Sequence, residues 1–242
     1  NLETSETENY SYDQLIIATG ASPVIPPIPG ADKKGVFKMR TPDDAVSMRT
    51  YLESENVKKA VVIGAGFIGL EVAENLKAQG LSVTVIDIAS QVMPNILDPE
   101  MALYVKRHLQ KNGIRVITGV KAEEILGNDQ VTGVRTSTGF LPCSLLAVAA
   151  GIRPNTGFLA DTGIEMFKGT ILVDEHMRTN LPDIYAAGDC VMVKNRITGE
   201  AKWAPMGSSA NLERPHPCPG SCRKKIKVLR AFSEQLYVSF PA

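Results

Sequence analysis

Residues 64–69 form the part of this sequence best suited to binding a phosphate. They read GAGFIG, and they lie between the apolar run Lys59–Ile63 and a segment with the apolar periodicity of a helix. In such a turn, Gly64 permits the tight bend, Gly66 lets a diphosphate approach the backbone, and Gly69 lets helix and strand pack closely. The helix N-terminus then presents N–H groups and a partial positive charge to the phosphates.

An acid stands where a bound nucleotide would present its ribose. Asp87 follows a second apolar run, residues 82–86, and lies 18 residues beyond Gly69. Its carboxylate can accept hydrogen bonds from an adenosine ribose diol and would repel a 2′-phosphate. Residues 88–91 (IASQ) contain no Lys or Arg that would bind such a phosphate. The pattern therefore predicts a dinucleotide site that prefers NADH to NADPH, rather than a glycine turn that serves packing alone.

The elements around this turn alternate between strand and helix patterns. Thr41 and Pro42 have the residue types of a helix start, and a later helix is predicted from Asp98 to about Asn112. Further strands are predicted at residues 15–18, 114–117, 121–126, 131–137, 145–150, 170–174 and 184–187. This alternation predicts an α/β fold with a parallel sheet covered by helices.

Composition and charge are ordinary for a globular protein. The formal net charge is zero and 44% of the residues are hydrophobic. Nothing in this balance draws the chain toward nucleic acid, and no apolar run approaches the ~20 residues that a membrane-spanning helix needs. The four cysteines are scattered and form no disulfide framework. We expect no nucleic-acid partner, no membrane association and a cytoplasmic location.

Several motifs occur in one order along the chain: Ala18-Thr19-Gly20, the glycine turn, AAGIRPN at 149–155 and IYAAGD at 184–189. This order resembles the pyridine nucleotide–disulfide oxidoreductases, most closely the branch of NADH oxidases, NADH peroxidases and coenzyme A-disulfide or polysulfide reductases. In that family an NAD domain is inserted into an FAD domain. The resemblance implies a Rossmann-like NAD-binding domain inserted in an FAD-binding Rossmann-like domain that is incomplete here.

The resemblance also implies domain bounds. Residues 1–35 correspond to a residual FAD-domain segment and linker, residues 36–155 to the NAD-binding domain, and residues 156–213 to the second FAD-domain segment. Residues 214–242 change character, since prolines, cysteines and basic residues replace hydrophobic periodicity. Codons that encode residues 215–224 can, when read one base later, encode a helix. That helix resembles the segment that the family has at this point of the chain. We therefore hypothesise a frameshift after Glu213, which would leave an aberrant tail without a native core.

Site residues follow from the resemblance position by position. The implied FAD contacts are Ala18, Thr19, Gly20, Asp189, Met206 and Gly207, and the implied nicotinamide side of the NAD site contains Phe67, Ile68 and Gly151. Phe67 matches an aromatic residue that covers the flavin until nicotinamide displaces it, although a core aromatic is an alternative. Glu71 faces either the same region or solvent. Trp203 is expected to serve packing.

No catalytic residue and no metal site are assigned. The family's redox cysteine, its first FAD turn and its dimerisation domain have no counterpart in the sequence. Cys143 and Cys190 are predicted to be structural thiols, and a redox or metal pair at Cys218 and Cys222 is disfavoured. His108 and His176 receive no role.

The sequence thus predicts an FAD-dependent NADH oxidoreductase, present as a fragment. Hydride would pass from NADH to flavin, and then to a small-molecule or thiol/disulfide acceptor whose identity stays open among disulfide, polysulfide, peroxide and oxygen. The parent enzyme is expected to be a homodimer, and this chain alone is expected to bind flavin weakly and to be inactive. Two alternatives remain, an NAD-binding sensor module and an inactive gene fragment.

Overall fold

The chain forms two compact units in a computed structural model that describes residues 9–195, 197–212 and 226–229. One unit comprises residues 23–152, and the other comprises the described residues before 23 and after 152. We predicted residues 36–155 for the NAD-binding domain. In the structure, residues 23–35 group with this unit, where Ile28 and Ala31 pack against its core.

The helices are α1 (Pro42–Ser54), α2 (Phe67–Ala78), α3 (Pro99–Lys111) and α4 (Gly207–Leu212). Strands before residue 120 are β1 (Gln14–Ile17), β2 (Ala21–Pro23), β3 (Val36–Lys38), β4 (Lys59–Ile63), β5 (Ser82–Asp87) and β6 (Arg115–Thr118). The later strands are β7 (Ala122–Leu126), β8 (Gly133–Thr136), β9 (Gly139–Pro142), β10 (Leu145–Val148), β11 (Ile152–Pro154), β12 (Met166–Phe167), β13 (Thr170–Leu172), β14 (Ile184–Ala186), β15 (Val191–Lys194), β16 (Ala201–Lys202) and β17 (Ile226–Leu229).

A five-stranded parallel sheet is the centre of the unit at 23–152. Its strand order is β3-β10-β4-β5-β6, and every neighbouring pair is parallel. All four residues of β10 are buried, as are the last four of β4. Such continuous apolar runs are typical of strands that are covered on both faces. The predicted α/β fold with a parallel sheet is confirmed.

The two faces of this sheet are covered differently. On one face, α1, α2 and α3 contribute Tyr51, Leu76 and Ala102 to a core with the sheet. On the other face, the core contains Ile125 and Val134 from the antiparallel sheet β7-β8-β9. The sequence predicted helices as the cover and did not predict β9. A β-meander occupies the second face because the segment between β6 and β10 forms short strands that pair locally.

The described part of the second unit has a separate core with a parallel sheet and a second, mixed sheet. The parallel sheet has the order β14-β1-β17, and the other has the order β12-β13-β15-β16. Leu15 and Ile17 of β1 are buried with Ile171 and Ile184, so the strands predicted there are confirmed. Within the predicted aberrant tail, residues 226–229 form β17, which pairs with β1. Cys218 and Cys222 lie outside the described residues.

Candidate nucleotide-binding site

The glycine turn has the strand–turn–helix form that its spacing predicts. β4 ends at Ile63, and α2 begins at Phe67 with Gly66 as its N-cap. The Gly64 N–H donates to the Ile86 carbonyl oxygen at 2.8 Å, which fixes the turn against the end of β5. Gly64 has φ +110, a conformation that disfavours a side chain.

Packing requires two of the three glycines. A Cβ added to Gly64 would overlap the carbonyl oxygen of Ala149, and one added to Gly69 would overlap the carbonyl oxygen of Gly64. Backbone atoms cannot rotate away as a flexible side chain can. Packing alone therefore requires glycine at these two positions, with or without a bound ligand.

Packing does not require a glycine at the position of Gly66. Its φ of −84 and ψ of −172 are open to any L-residue. No heavy atom of the described residues, chain neighbours aside, lies within 4 Å of an added Cβ. A glycine at this N-cap offers no side chain for the N–H groups of the first turn, so these groups remain directed out of the helix. The open space beside Gly66 and the positive end of α2 together fit a diphosphate.

Asp87 connects the ribose position to the glycine turn. One carboxylate oxygen accepts the Ala65 N–H at 2.6 Å, and the other accepts the Ala89 N–H at 2.8 Å. Each carboxylate oxygen has a second lone pair that can accept a hydroxyl hydrogen. The Ala65 carbonyl in turn accepts the Met93 N–H at 2.9 Å. Asp87 can therefore receive a ribose diol, and it also holds the turn, a role the sequence did not predict.

Residues on the nicotinamide side are exposed within their unit. Phe67 is 56% exposed and Ile68 is 39% exposed, so the alternative of Phe67 as a core aromatic is wrong. Glu71 is exposed on α2. Gly151 has φ +115, and its carbonyl accepts the Val24 N–H at 2.9 Å. Phe67 therefore presents an apolar ring to solvent at the start of α2, where a bound planar ring could pack against it.

The predicted NAD residues come together at one edge of the sheet. Gly64 follows β4, Asp87 ends β5 and Gly151 lies beyond β10, and these three strands are parallel. The carboxyl ends of parallel strands therefore meet at this edge, where nucleotides bind in open α/β sheets.

In the other unit, Thr19 and Gly20 are held by Asn155. The Thr19 hydroxyl donates to the Asn155 carbonyl at 2.7 Å, and the Asn155 side-chain amide donates to the Thr19 carbonyl at 3.0 Å. The Asn155 N–H also donates to the Gly20 carbonyl at 2.9 Å. Thr19 is 4% exposed. Asn155 ends the motif at 149–155, which predicted no role for it, and the structure shows that it positions the segment that follows β1.

Asp189 lies close to that segment because β1 and β14 are paired. The two strands are parallel, and the Ala187 N–H donates to the Ile17 carbonyl at 3.0 Å. Trp203 was expected to serve packing, and its indole N–H donates to the Asp189 carbonyl at 2.9 Å. Met206 is 54% exposed just before α4. The predicted FAD residues 18–20 and 189 therefore gather at the carboxyl ends of adjacent strands.

The two described cysteines are buried thiols. Burial raises the pKa of Cys143 to about 12 and also raises the pKa of Cys190. The Cys190 thiol donates to the Ala187 carbonyl at 3.3 Å. Because the thiolate is the nucleophile, neither cysteine suits redox exchange at neutral pH. Their burial is as expected for structural thiols, and the structural role stays a prediction. His108 and His176 are both exposed.

Comparison with known proteins assigns the chain to one family. The model of the family described as pyridine nucleotide-disulphide oxidoreductase matches residues 1–208. An NADH oxidase of Methanocaldococcus jannaschii is 44% identical over 200 residues, which cover 83% of this chain and 45% of the relative. A CoA-dependent NAD(P)H sulfur oxidoreductase of Pyrococcus abyssi is 35% identical over 86% of this chain and 47% of its own length. The chain thus spans slightly under half of each of these relatives.

Solved structures of similar proteins have the same fold as this chain. An NAD-dependent persulfide reductase from A. fulgidus superposes with a TM-score of 0.80 at 41% identity, over 84% of this chain and 38% of that one. A water-forming NADH oxidase from Lactobacillus brevis, solved bound to NADH, superposes with a TM-score of 0.78 at 29% identity, over 87% of this chain and 46% of that one.

Proposed function

Because the chain belongs to the pyridine nucleotide-disulphide oxidoreductase family, we propose that residues 23–152 bind NADH and that the other unit supplies part of an FAD site. Solved members of the family include an FAD-dependent enzyme from Desulfovibrio vulgaris and the NADH-bound oxidase. The observation that carries the proposal is Gly66. Its backbone and surroundings would accept a side chain, so packing does not require a glycine there, and the position lies at the N-terminus of α2, where a diphosphate would bind.

The residues have distinct proposed roles in holding the nucleotide. Gly66 and the first turn of α2 would contact the diphosphate through N–H groups. Asp87 would accept the hydroxyls of the adenosine ribose, and its negative charge would disfavour NADPH. Ile68 and Gly151 would line the nicotinamide side, together with the exposed ring of Phe67.

When bound, the nicotinamide supplies a hydride and the flavin accepts it. Ala18, Thr19, Gly20, Asp189, Met206 and Gly207 are the residues proposed to hold FAD in the second unit. Asn155 and Trp203 would position two of these segments through the hydrogen bonds described above.

The activity of the whole protein is an inference from its relatives. We infer an NADH oxidoreductase that passes electrons from flavin to a small-molecule or thiol/disulfide acceptor. The relatives named above are an NADH oxidase and a sulfur oxidoreductase, so the acceptor differs within the family. A homodimeric parent enzyme and a cytoplasmic location complete the proposal. No helix in the described parts of the chain is long and apolar enough to cross a bilayer.

Titration of the purified chain with NADH, followed by nicotinamide fluorescence, tests the proposal. We expect saturable binding by the wild type and binding weaker by about tenfold or more in Gly66→Ala, since a methyl group would enter the space beside the diphosphate. Gly157→Ala is the matched control, because an added Cβ there also meets no heavy atom of the described residues within 4 Å, its chain neighbours and the backbone of its own helical turn aside. Absence of NADH binding by the folded wild type would refute the proposed function.

An NAD-binding sensor is a second candidate, favoured by one observation. The proposed NAD residues lie within a unit that has its own core, so binding need not involve flavin. The single tryptophan of the chain, Trp203, distinguishes the two candidates because it contacts Asp189 in the proposed FAD region. Quenching of Trp203 fluorescence by FAD, reduced in Asp189→Ala, would support the flavoenzyme. NADH binding with no FAD quenching would favour the sensor or an inactive fragment.

A further inference from the structure

A lysine from α3 reaches the adenosine end of the proposed NADH site. Lys106 is half-buried, and its ammonium donates to the hydroxyl of Thr118 at 3.0 Å. Thr118 is the last residue of β6, and its register partner on β5 is Asp87. Paired residues of neighbouring parallel strands project from the same face of the sheet. The ammonium of Lys106 therefore contacts the strand next to the one that carries Asp87, the acid proposed to hold the ribose.

Backbone hydrogen bonds fix this neighbourhood. The Gly119 N–H donates to the Ala89 carbonyl at 2.7 Å, and the Val120 N–H donates to the Asp87 carbonyl at 2.9 Å. The end of β6 is thus tied to the segment that follows β5. Thr118, whose hydroxyl accepts from the ammonium of Lys106, is therefore held beside Asp87 by the backbone.

The chemistry of the ribose end gives this cation a specific use. A 2′-phosphate is repelled by Asp87 and needs a positive group nearby. Residues 88–98, which follow β5, contain no Lys or Arg. A lysine ammonium has three donors, and Thr118 accepts one of them. Lys106 is therefore placed to donate to an anion that binds beside Asp87.

We propose that Lys106 is a cofactor-specificity residue whose positive charge partly offsets the repulsion between Asp87 and a 2′-phosphate. This inference rests on the proposed NADH site at Gly64–Gly69. Its consequence is that the chain binds NADPH weakly instead of excluding it. Lys106 acts on the phosphate that distinguishes the two nucleotides, so its removal changes their relative affinities and leaves NADH binding nearly unchanged.

The test is titration of the full 242-residue chain with NADPH and with NADH at low ionic strength. We expect Lys106→Met to weaken NADPH binding by about fivefold to tenfold, because a charge-assisted hydrogen bond is lost, and to leave NADH binding within about twofold. Lys106→Arg should retain NADPH binding because it keeps the charge. Lys111→Met is the control, since Lys111 is exposed at the end of the same helix.

Several outcomes would overturn the inference. An unchanged NADPH-to-NADH affinity ratio in Lys106→Met would do so, and so would an equal loss in Lys111→Met. Equal weakening of both nucleotides would show that Lys106 only supports the fold. Wild-type protein that binds NADH with no detectable NADPH binding would also refute it, whereas failure to bind either nucleotide refutes the proposed function itself.

Discussion

The carboxylate of Asp87 accepts the backbone N–H of Ala65 at 2.6 Å. This bond joins the end of β5 to the middle of the glycine turn, so the proposed ribose acceptor also shapes the proposed diphosphate site. The second oxygen of Asp87 accepts the Ala89 N–H, which leaves one lone pair of each oxygen for a ribose hydroxyl. Binding and stability are therefore coupled at this residue.

Asp87→Asn should lower both NADH affinity and stability. An asparagine offers one acceptor oxygen, and its amide group would oppose one of the two backbone N–H groups that Asp87 now accepts. We expect a loss of about 1–2 kcal/mol in the free energy of unfolding, together with weaker NADH binding. Urea unfolding followed by circular dichroism and an NADH titration measure the two effects. Weakened binding at unchanged stability would show that the bonds to Ala65 and Ala89 are dispensable.

Gly64→Ala should destabilise the protein much more than Gly80→Ala. Both glycines have positive φ, but only at Gly64 would the added Cβ overlap a backbone atom, the Ala149 carbonyl oxygen. The φ penalty alone is about 1 kcal/mol at Gly80, and we expect about 2–4 kcal/mol at Gly64. Equal losses in urea unfolding would mean that the turn relaxes without cost.

Asn155→Ala should loosen the segment that carries Thr19 and Gly20. The substitution removes the side-chain donor to the Thr19 carbonyl, at a cost of about 1 kcal/mol. Hydrogen exchange in a peptide spanning residues 14–22 should then become faster. Asn75→Ala is the control, because Asn75 makes an exposed bond to the Glu71 carbonyl within its own helix. Equal exchange in wild type and Asn155→Ala would contradict a positioning role for Asn155.

Stability should fall at alkaline pH, partly because of Cys143. Burial raises the pKa of its thiol from 9.0 to about 12, so between these values the unfolded state loses a proton that the folded state keeps. The contribution of Cys143 therefore declines as pH rises above 9, by up to about 1.4 kcal/mol per pH unit. Urea unfolding between pH 8 and 10.5 should show a shallower decline in Cys143→Ala than in wild type. Identical slopes would refute the raised pKa.

Local sequence patterns were sufficient for the nucleotide-binding half of the fold. The run 59–63, the glycines and Asp87 predicted β4, the turn, α2 and the end of β5, and the structure has these elements at those positions. Thr41 and Pro42 likewise predicted the start of α1, which has a capping box between Thr41 and Asp44. These features depend on backbone geometry and capping over a few neighbouring residues, so they can be read from sequence.

The cover of the second sheet face was not predictable in the same way. The sequence predicted the strands at 121–126 and 131–137, but it predicted helices as the cover of the sheet. In the structure, β7, β8 and β9 form a meander on this face. Short apolar runs do not determine which surface they pack against. β17 was missed for a related reason, since its pairing with β1 joins residues more than two hundred positions apart.

The amino-acid sequence by itself determined the family, the α/β fold and the acid and glycines of the proposed NADH site, because each rests on residue type and local spacing. Only the tertiary structure decided that Asp87 holds Ala65, that Asn155 holds Thr19 and that Lys106 lies beside Thr118. These contacts join residues far apart in the chain, and strand order and register bring them together. A sequence pattern specifies a strand, but the packing of the whole sheet determines which strands lie beside it.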